Sequence, residues 1–478
     1  MVSVKKKDRI KELEAQVAEL LSIIKSQSEE IMYLRGRVLE LEARLSQNSS
    51  NSSKPPSSDL YKPKQTVSLR EKGGNKPGSQ PGHRGDTLRF SDCPDSVEIH
   101  RPGACCVCGQ DLSGIMSPGY ERRQVYDLPE IRIRVTEHRS QTVCCPCCGS
   151  RVTGAFPEGV TQPTQYGPGV KALGAYLTQY QFLPYERTAE LFEDLFSHRV
   201  SVSFLSDNNG TFATVLAPFM AGLKDILSSS RVVHADETGL RIAGERWWLH
   251  SLSTGMHTLY MPHGKRGAEA MEAMGILPGY GGTVVHDFWK PYFRFGCRHA
   301  LCGAHLLREL KYCGDELGSH WAIWTAGLLS GLHKRVEELK RQGLAYMPSD
   351  ELDRWMCYYD GVMEMGALLH PPPDRDGTKR GRAKKTKTRN LVERFIRYRD
   401  DILRFAADFN VPFTNNNAEQ AVRMMKVKQK ISGCFRSEQG AMDFATVRSY
   451  IATMKKHGQK VMSALVAAFN NQPFPARA

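Results

Sequence analysis

Two short apolar runs, each closed by an aspartate, constrain this chain most: Arg231-Val-Val-His-Ala-Asp236 and Gly282-Thr-Val-Val-His-Asp287. Each has the length and β-branched content of a strand, so each delivers a carboxylate at a strand end. A third acid, Glu419, stands in the first turn of a strongly basic helical segment, Asn415-Asn-Asn-Ala-Glu419-Gln-Ala-Val-Arg423. Two carboxylates at strand ends and one on a later helix can hold a pair of magnesium or manganese ions. Such a pair clamps the attacking and leaving oxygens of a phosphodiester during in-line displacement.

The residues between the two aspartates fit a definite strand order. Val232–Asp236, Trp247–Ser253 and His257–Met261 read as three antiparallel strands, Gly267–Gly275 as a helix, and Thr283–Asp287 as a parallel fourth strand. Arg294 to Cys302 supplies a fifth. This is the order of a ribonuclease H-like core. Strand alternation puts His234 and Asp236 on one face and Ala235 and Glu237 on the other, which favours Asp236 over its neighbour as a ligand. Arg423, Lys426 and Lys430 follow Glu419 at helical spacing and share its face. Asn415 to Asn417 supply a cap for that helix. His305, Arg308 and Glu309 also share one helical face. They either reach the site or brace the start of a helical insertion. Trp289 reads as core packing in preference to a base-stacking platform.

The charge balance names the kind of partner. Lys and Arg exceed Asp and Glu by 14, which favours a polyanion. Eight of the basic residues lie between Arg375 and Arg389, against the single acid Asp376. Arg380, Arg382, Lys384 and Lys385 belong to that block and are candidates for DNA phosphate contact, as are Arg132, Arg134, Arg423, Lys426, Lys430 and Arg436. No apolar stretch reaches the length of a membrane span and no secretory signal follows the N-terminus, so the expectation is a cytoplasmic protein.

Before the core the chain changes character three times. Ile10, Leu13, Val17, Leu20, Ile24, Ile31, Leu34, Val38, Leu41 and Leu45 keep a three–four spacing broken only by Gln27, the pattern of a parallel coiled coil joining two or more copies. From Gln47 to Pro81 the chain is mostly Ser, Asn, Lys, Pro and Gly, a flexible basic linker. Of the 13 cysteines, eight then fall between Cys93 and Cys148. Cys105 and Cys108, and Cys145 and Cys148, form two Cys-x-x-Cys-Gly knuckles suited to one tetrahedral zinc. Cys106, Cys144 and Cys147 are competing ligands. Between the knuckles, Ile131-Arg-Ile-Arg-Val135 alternates like a strand, as in a zinc ribbon. Further on, Pro184–Phe196 and a second helix capped by Ser201 read either as a helix-turn-helix or as simple packing.

Taken in order, these motifs resemble the insertion-sequence 66 family of transposases over nearly the whole chain. The matching pieces are the leucine-zipper start, Asn51-Ser-Ser-Lys-Pro-Pro-Ser-Ser-Asp59, Lys76-Pro-Gly-Ser-Gln-Pro-Gly-His83 and the two cysteine knuckles. His234-Ala-Asp-Glu-Thr238, His286-Asp-Phe-Trp-Lys-Pro-Tyr292, Cys302-Gly-Ala-His-Leu-Leu-Arg-Glu309, Asn415–Glu419 and Gly433-Cys-Phe-Arg-Ser437 complete the set. The resemblance implies a DDE catalytic core with Asp236, Asp287 and Glu419 at its acidic positions, an N-terminal zinc module and a helical insertion. Gln420 stands where the family usually has Arg.

The expected class is therefore multidomain α+β: coiled coil (1–47), flexible basic linker (48–92), zinc-binding module (93–150) and a helical region (151–230). The first part of a ribonuclease H-like core (231–303), a helical insertion with a basic loop (304–410), and a catalytic-core helix with C-terminal region (411–478) follow. The expected function is metal-dependent cleavage of transposon ends and strand transfer into target DNA, with accessory proteins as possible partners. Two rivals are a nuclease of the same fold that does not join, and a non-catalytic zinc-containing DNA-binding regulator.

Overall fold

The computed structural model describes residues 87–373 and 385–476, together with 22–28, 30–32, 34–38, 41–42 and 45. Ile10 to Leu20, the motifs at 51–59 and 76–83, and the basic residues Arg380, Arg382 and Lys384 lie outside the described residues. The described part of 22–45 is helical, and its seam residues Ile24, Ile31, Leu34, Val38, Leu41 and Leu45 are all exposed on the single chain.

In the cysteine region both knuckles form the same turn. The Gly109 N–H donates to Cys105 O and the Gly149 N–H to Cys145 O, each at 2.9 Å. Both glycines sit at positive φ, +72° and +74°, where a side chain would be strained. A small hairpin, β1 (Thr142–Cys144) with β2 (Arg151–Thr153), encloses the second knuckle. The strand expected at Ile131–Val135 does not form. Its alternation has no partner strand and no apolar layer to face, and Val135 is 88% exposed. Alternation makes a strand only where something covers the apolar face.

A helical stretch follows: α1 (Pro168–Ala175), a π turn (Tyr176–Tyr180), α2 (Tyr185–Phe196), α3 (Val202–Val215) and α4 (Ala217–Ser229). Ser201 caps α3 by accepting the Phe204 N–H at 3.1 Å. The inner face of α3 buries Leu205, Asn208, Asn209 and Phe212, and the helix carries no Lys or Arg to offer a groove.

The centre is a mixed sheet in the order β5-β4-β3-β6-β7. β3 (Val232–Ile242), β4 (Glu245–Ser253) and β5 (Thr258–His263) form an antiparallel meander. The β3–β4 hairpin turns on Ala243 and Gly244, both at positive φ, the geometry that matches the twist of the strands. α5 (Ala268–Met274) then crosses over and ends at Gly275, φ +78°. β6 (Thr283–His286) runs parallel to β3, and β7 (Arg298–Leu301) parallel to β6. The antiparallel meander, the crossover helix, the parallel β6 and a fifth strand follow one another along the chain as expected from the sequence.

Both faces of the sheet are covered, which is why β6 reads as an unbroken apolar run. Val233, Ala235 and Val284 pack among α3, α4, α5 and the C-terminal helices α12 (Glu438–Lys456) and α13 (Val461–Phe469). Val285, Ala300 and Leu301 pack against five helices from the 304–410 stretch. These are α6 (Gly303–Asp315), α7 (His320–Arg341), α8 (Ser349–Leu369), α9 (Lys387–Arg397) and α10 (Arg399–Ala407). α11 (Asn416–Ser432) lies over β3 and β4, with Met425 buried beside Leu240 and Leu249. Among the described residues no single helix is long and apolar enough to cross a membrane.

Candidate active site at the strand ends

Backbone register places the two aspartates side by side. β3 and β6 pair His234 with Val285 in parallel, so two residues further Asp236 stands opposite Asp287. Neighbouring strands lie about 4.8 Å apart, and equal positions in a parallel pair point to the same face. Both carboxylates are half-buried at the rim. The alternation argument for Asp236 also meets the geometry. Glu237 points the other way, where Arg266 holds its Oε1 at 2.8 Å and the Tyr292 hydroxyl donates to its Oε2 at 3.0 Å. With its side chain only 1% exposed, Glu237 is spoken for by that clamp. Arg266 is itself fixed between Trp289 and Trp248, its guanidinium 4.1 and 4.9 Å from the two ring centres. Trp289 thus packs on a cation within the fold.

Glu419 arrives from far along the chain, and the start of its helix is pinned in place. Asn415 occupies the cap position of α11 but makes no side-chain cap. Its amide reaches across to β3 instead, donating to Ala235 O at 2.7 Å, while its Oδ1 meets His234 Nδ1 at 2.9 Å. Asn417 Nδ2 lies 3.3 Å from His234 Nε2. The run of asparagines expected as a helix cap is therefore a clasp between α11 and the strand bearing Asp236. A second tie joins the start of α11 to that of α6, where the Gly303 N–H donates to Phe413 O at 2.8 Å. A Cβ on Gly303 would come within 2.2 Å of the Phe413 ring, so the close approach requires glycine.

At the first turn of α6 the two alternatives for its polar face divide. His305 Nδ1 and Arg308 approach Glu419 Oε1, at 3.5 and 4.0 Å. Glu309 instead pairs with Arg394 of α9 at 2.7 Å and braces the insertion. Cys302 Sγ lies 3.9 Å from the same Glu419 oxygen.

The electrostatics favour a cation. Burial pushes the Asp236 carboxyl well above its ordinary value, and Glu237, Asp287 and Glu419 push it further. Asp287 is raised by burial too, with Arg266 opposing and Glu419 adding. Burial, then Asp287, lifts Glu237 to about 7 against the pull of Arg266. An all-oxygen set suits a hard divalent ion, but Arg266 opposes at Asp287, Arg308 lies 4.0 Å from Glu419 Oε1, and among the described residues Asp236, Asp287 and Glu419 do not gather with all their ligand atoms within 4.8 Å of one another.

The remaining predicted contacts are spread out. Arg423, Lys430 and Arg436 are exposed near α11, whereas Lys426 turns inward and donates to Gly239 O at 3.2 Å. Arg132 and Arg134 are exposed in the cysteine region, far from β3 in sequence. Lys385 pairs with Glu393 at the mouth of a cavity of about 670 Å³ that starts at Phe288, next to Asp287. Lys290, Lys387, Arg394 and Arg397 also line it. Cys105, Cys108, Cys145 and Cys148 are free thiols, and among the described residues no three of the region's sulfurs gather within ligand distance. Backbone N–H groups of Cys108 and Val107 draw the Cys105 thiol down, and Ser150 does the same for Cys148.

The model of the transposase IS66 family matches residues 163–443, which takes in the whole sheet, α6 to α11 and both aspartates. The chain belongs to this family. The match covers more than half of the chain, so the resemblance seen in its motifs is one of descent. A second model, a family of unknown function (DUF6444), matches residues 3–89. No curated protein matches this transposase-family chain.

Proposed function

We propose that the chain is a DNA transposase whose Asp236, Asp287 and Glu419 hold two divalent metal ions, on a core of ribonuclease H-like topology. The observation that carries this reading is the placing of Asp236 and Asp287 just beyond the paired stretch of two neighbouring parallel strands, both carboxyls raised by burial and Asp287 adding to the shift of Asp236. When bound, magnesium or manganese neutralises charge on the scissile phosphate and on the oxygens entering and leaving it. The chain's own residues supply the geometry. The β3–β6 register sets the separation of the aspartates, and the His234–Asn415 clasp fixes the helix that brings Glu419. Arg266 and Tyr292 keep Glu237 out of the reaction by satisfying it on the opposite face.

In the reaction, water attacks the phosphodiester at the transposon end. The P–O3′ bond breaks, and the chain of the element is left with a free 3′-hydroxyl. That hydroxyl then attacks a target phosphodiester, exchanging one P–O bond for another without a protein nucleophile. Family membership implies DNA as the partner. The basic cavity beginning at Phe288 and the exposed Arg423, Lys430 and Arg436 support phosphate contact on either side of the acids. The two cysteine knuckles would hold zinc, and the exposed apolar seam of the N-terminal helix supports pairing of two copies.

The test uses labelled transposon ends and a supercoiled target. Asp287→Ala is expected to abolish both cleavage and joining while end binding persists. Nicking with magnesium that survives this substitution would overturn the assignment. Cleavage without joined product in the unmodified protein would favour a nuclease.

A further inference from the structure

The row of strand ends has a third member. β6 and β7 pair His286 with Leu301, so the next residues, Asp287 and Cys302, also stand opposite each other. Cys302 caps α6, His305 lies in the first turn of that helix, and Glu419 lies in the first turn of α11. Cys302 Sγ and His305 Nδ1 stand 3.9 and 3.5 Å from Glu419 Oε1, and all three donor atoms fall within 4.8 Å of one another. His305 Nδ1 is buried and has no hydrogen-bond partner. Around a tetrahedral zinc with bonds of about 2.0–2.3 Å, ligand atoms stand roughly 3.3–3.6 Å apart. The two separations to Glu419 Oε1 are within a few tenths of an ångström of that spacing, and the third lies within 4.8 Å.

We propose that Cys302, His305 and Glu419 form a second divalent-cation site, selective for thiophilic ions such as Zn²⁺, that competes with the acidic site for Glu419. The competition rests on Glu419 being a ligand in the acidic site; the binding itself does not. The donor set decides the metal. A thiolate and an imidazole suit zinc or cobalt and are poor partners for magnesium. Three protein ligands leave a fourth position open, as in zinc sites that exchange their remaining ligand. Two features favour the anionic ligands. Both helix N-termini point their partial positive charge at the cluster, and the Asn415 N–H donates to Cys302 Sγ at 3.2 Å. Burial opposes them by raising the Cys302 thiol to about 11, so binding must release its proton to solvent. Arg308, 4.0 Å from Glu419 Oε1, is the cation an incoming ion would have to work against.

The experiment is a Co²⁺ count per chain on the full-length protein in excess magnesium, with the absorption spectrum recorded. Cys302→Ser and His305→Ala are each expected to bind one Co²⁺ fewer than the unmodified chain and to lose part of the thiolate-to-cobalt charge-transfer band. Asp287→Asn keeps the count, which separates this site from the acidic one. An unchanged count in Cys302→Ser overturns the site. Should that variant fail to fold, His305→Cys retaining an ion that His305→Ala loses supports it, and equal counts in the two overturn it. For the competition, the Zn²⁺ concentration that halves magnesium-supported nicking should rise about tenfold in His305→Ala relative to the unmodified chain. An unchanged concentration would contradict it.

Discussion

The acidic strand ends and the cysteine region are the two places proposed to hold metal, and they are built in opposite ways. At the strand ends, residues separated by about 50 to 180 positions are fixed by sheet register, the Asn415 clasp and the Gly303–Phe413 contact. The cysteine knuckles are fixed by hydrogen bonds that span only four or five residues, with one short hairpin and exposed apolar side chains around them. The strand ends are held by the fold itself. On the proposed reading, an ion would supply the organisation of the knuckles, because little apolar surface is buried to hold them together.

The largest consequence concerns zinc. Removing it with a strong chelator should make residues 93–150 cleavable by protease within minutes, while the 168–469 portion stays resistant. Equal resistance of the two portions with and without zinc would break the contrast.

A smaller effect is expected at the interlock. Gly303→Ala drives a methyl group into Phe413 and should lower stability by about 1–3 kcal/mol. Asn415→Ala leaves Ala235 O and His234 without their partner, at a cost of about 1–3 kcal/mol. Denaturant melts give both values. If either variant melts like the unmodified chain, the site is not held as described.

Smaller still is the pH effect without magnesium. Glu237 and the aspartates bind protons more tightly folded than unfolded, so stability should fall as pH rises from about 4.5 through the Glu237 value of about 7. Asp236→Asn should flatten that slope and raise the melting temperature by a few degrees, and added magnesium should then stabilise it less than the unmodified protein. A steeper slope in the variant would count against a strained carboxylate cluster.

Much of this site was readable before the structure, for physical reasons that differ by residue. β-branched runs closed by Asp mark strand ends, and period-two alternation separates Asp236 from Glu237 because the pleat does. Glu419 was weak evidence by itself, since a Glu near cations on a helix is commonplace, and gained weight only beside the two strand-end aspartates and the resemblance of its motif. The clasp role of Asn415 and the clamp on Glu237 by Arg266 and Tyr292 leave no local trace, because they depend on which strand lies beside which. Lys426 shares a face with Glu419 by spacing, yet its long side chain turns back to the carbonyl of Gly239. The alternation at Ile131–Val135 misled for the converse reason: the pattern is local and the partner it needs is not there.

The central claim is that Asp236, and not the adjacent Glu237, works on the phosphodiester. The most direct measurement is magnesium-dependent nicking of labelled transposon ends by Asp236→Asn and Glu237→Gln, assayed side by side on folded protein. Asp236→Asn should lose at least about 10³-fold, several kcal/mol of charge stabilisation. Glu237→Gln, which can keep its contacts with Arg266 and Tyr292, should stay within about tenfold of the unmodified chain, a loss of at most about 1.4 kcal/mol. The opposite ranking, or full nicking by Asp236→Asn, would contradict the account.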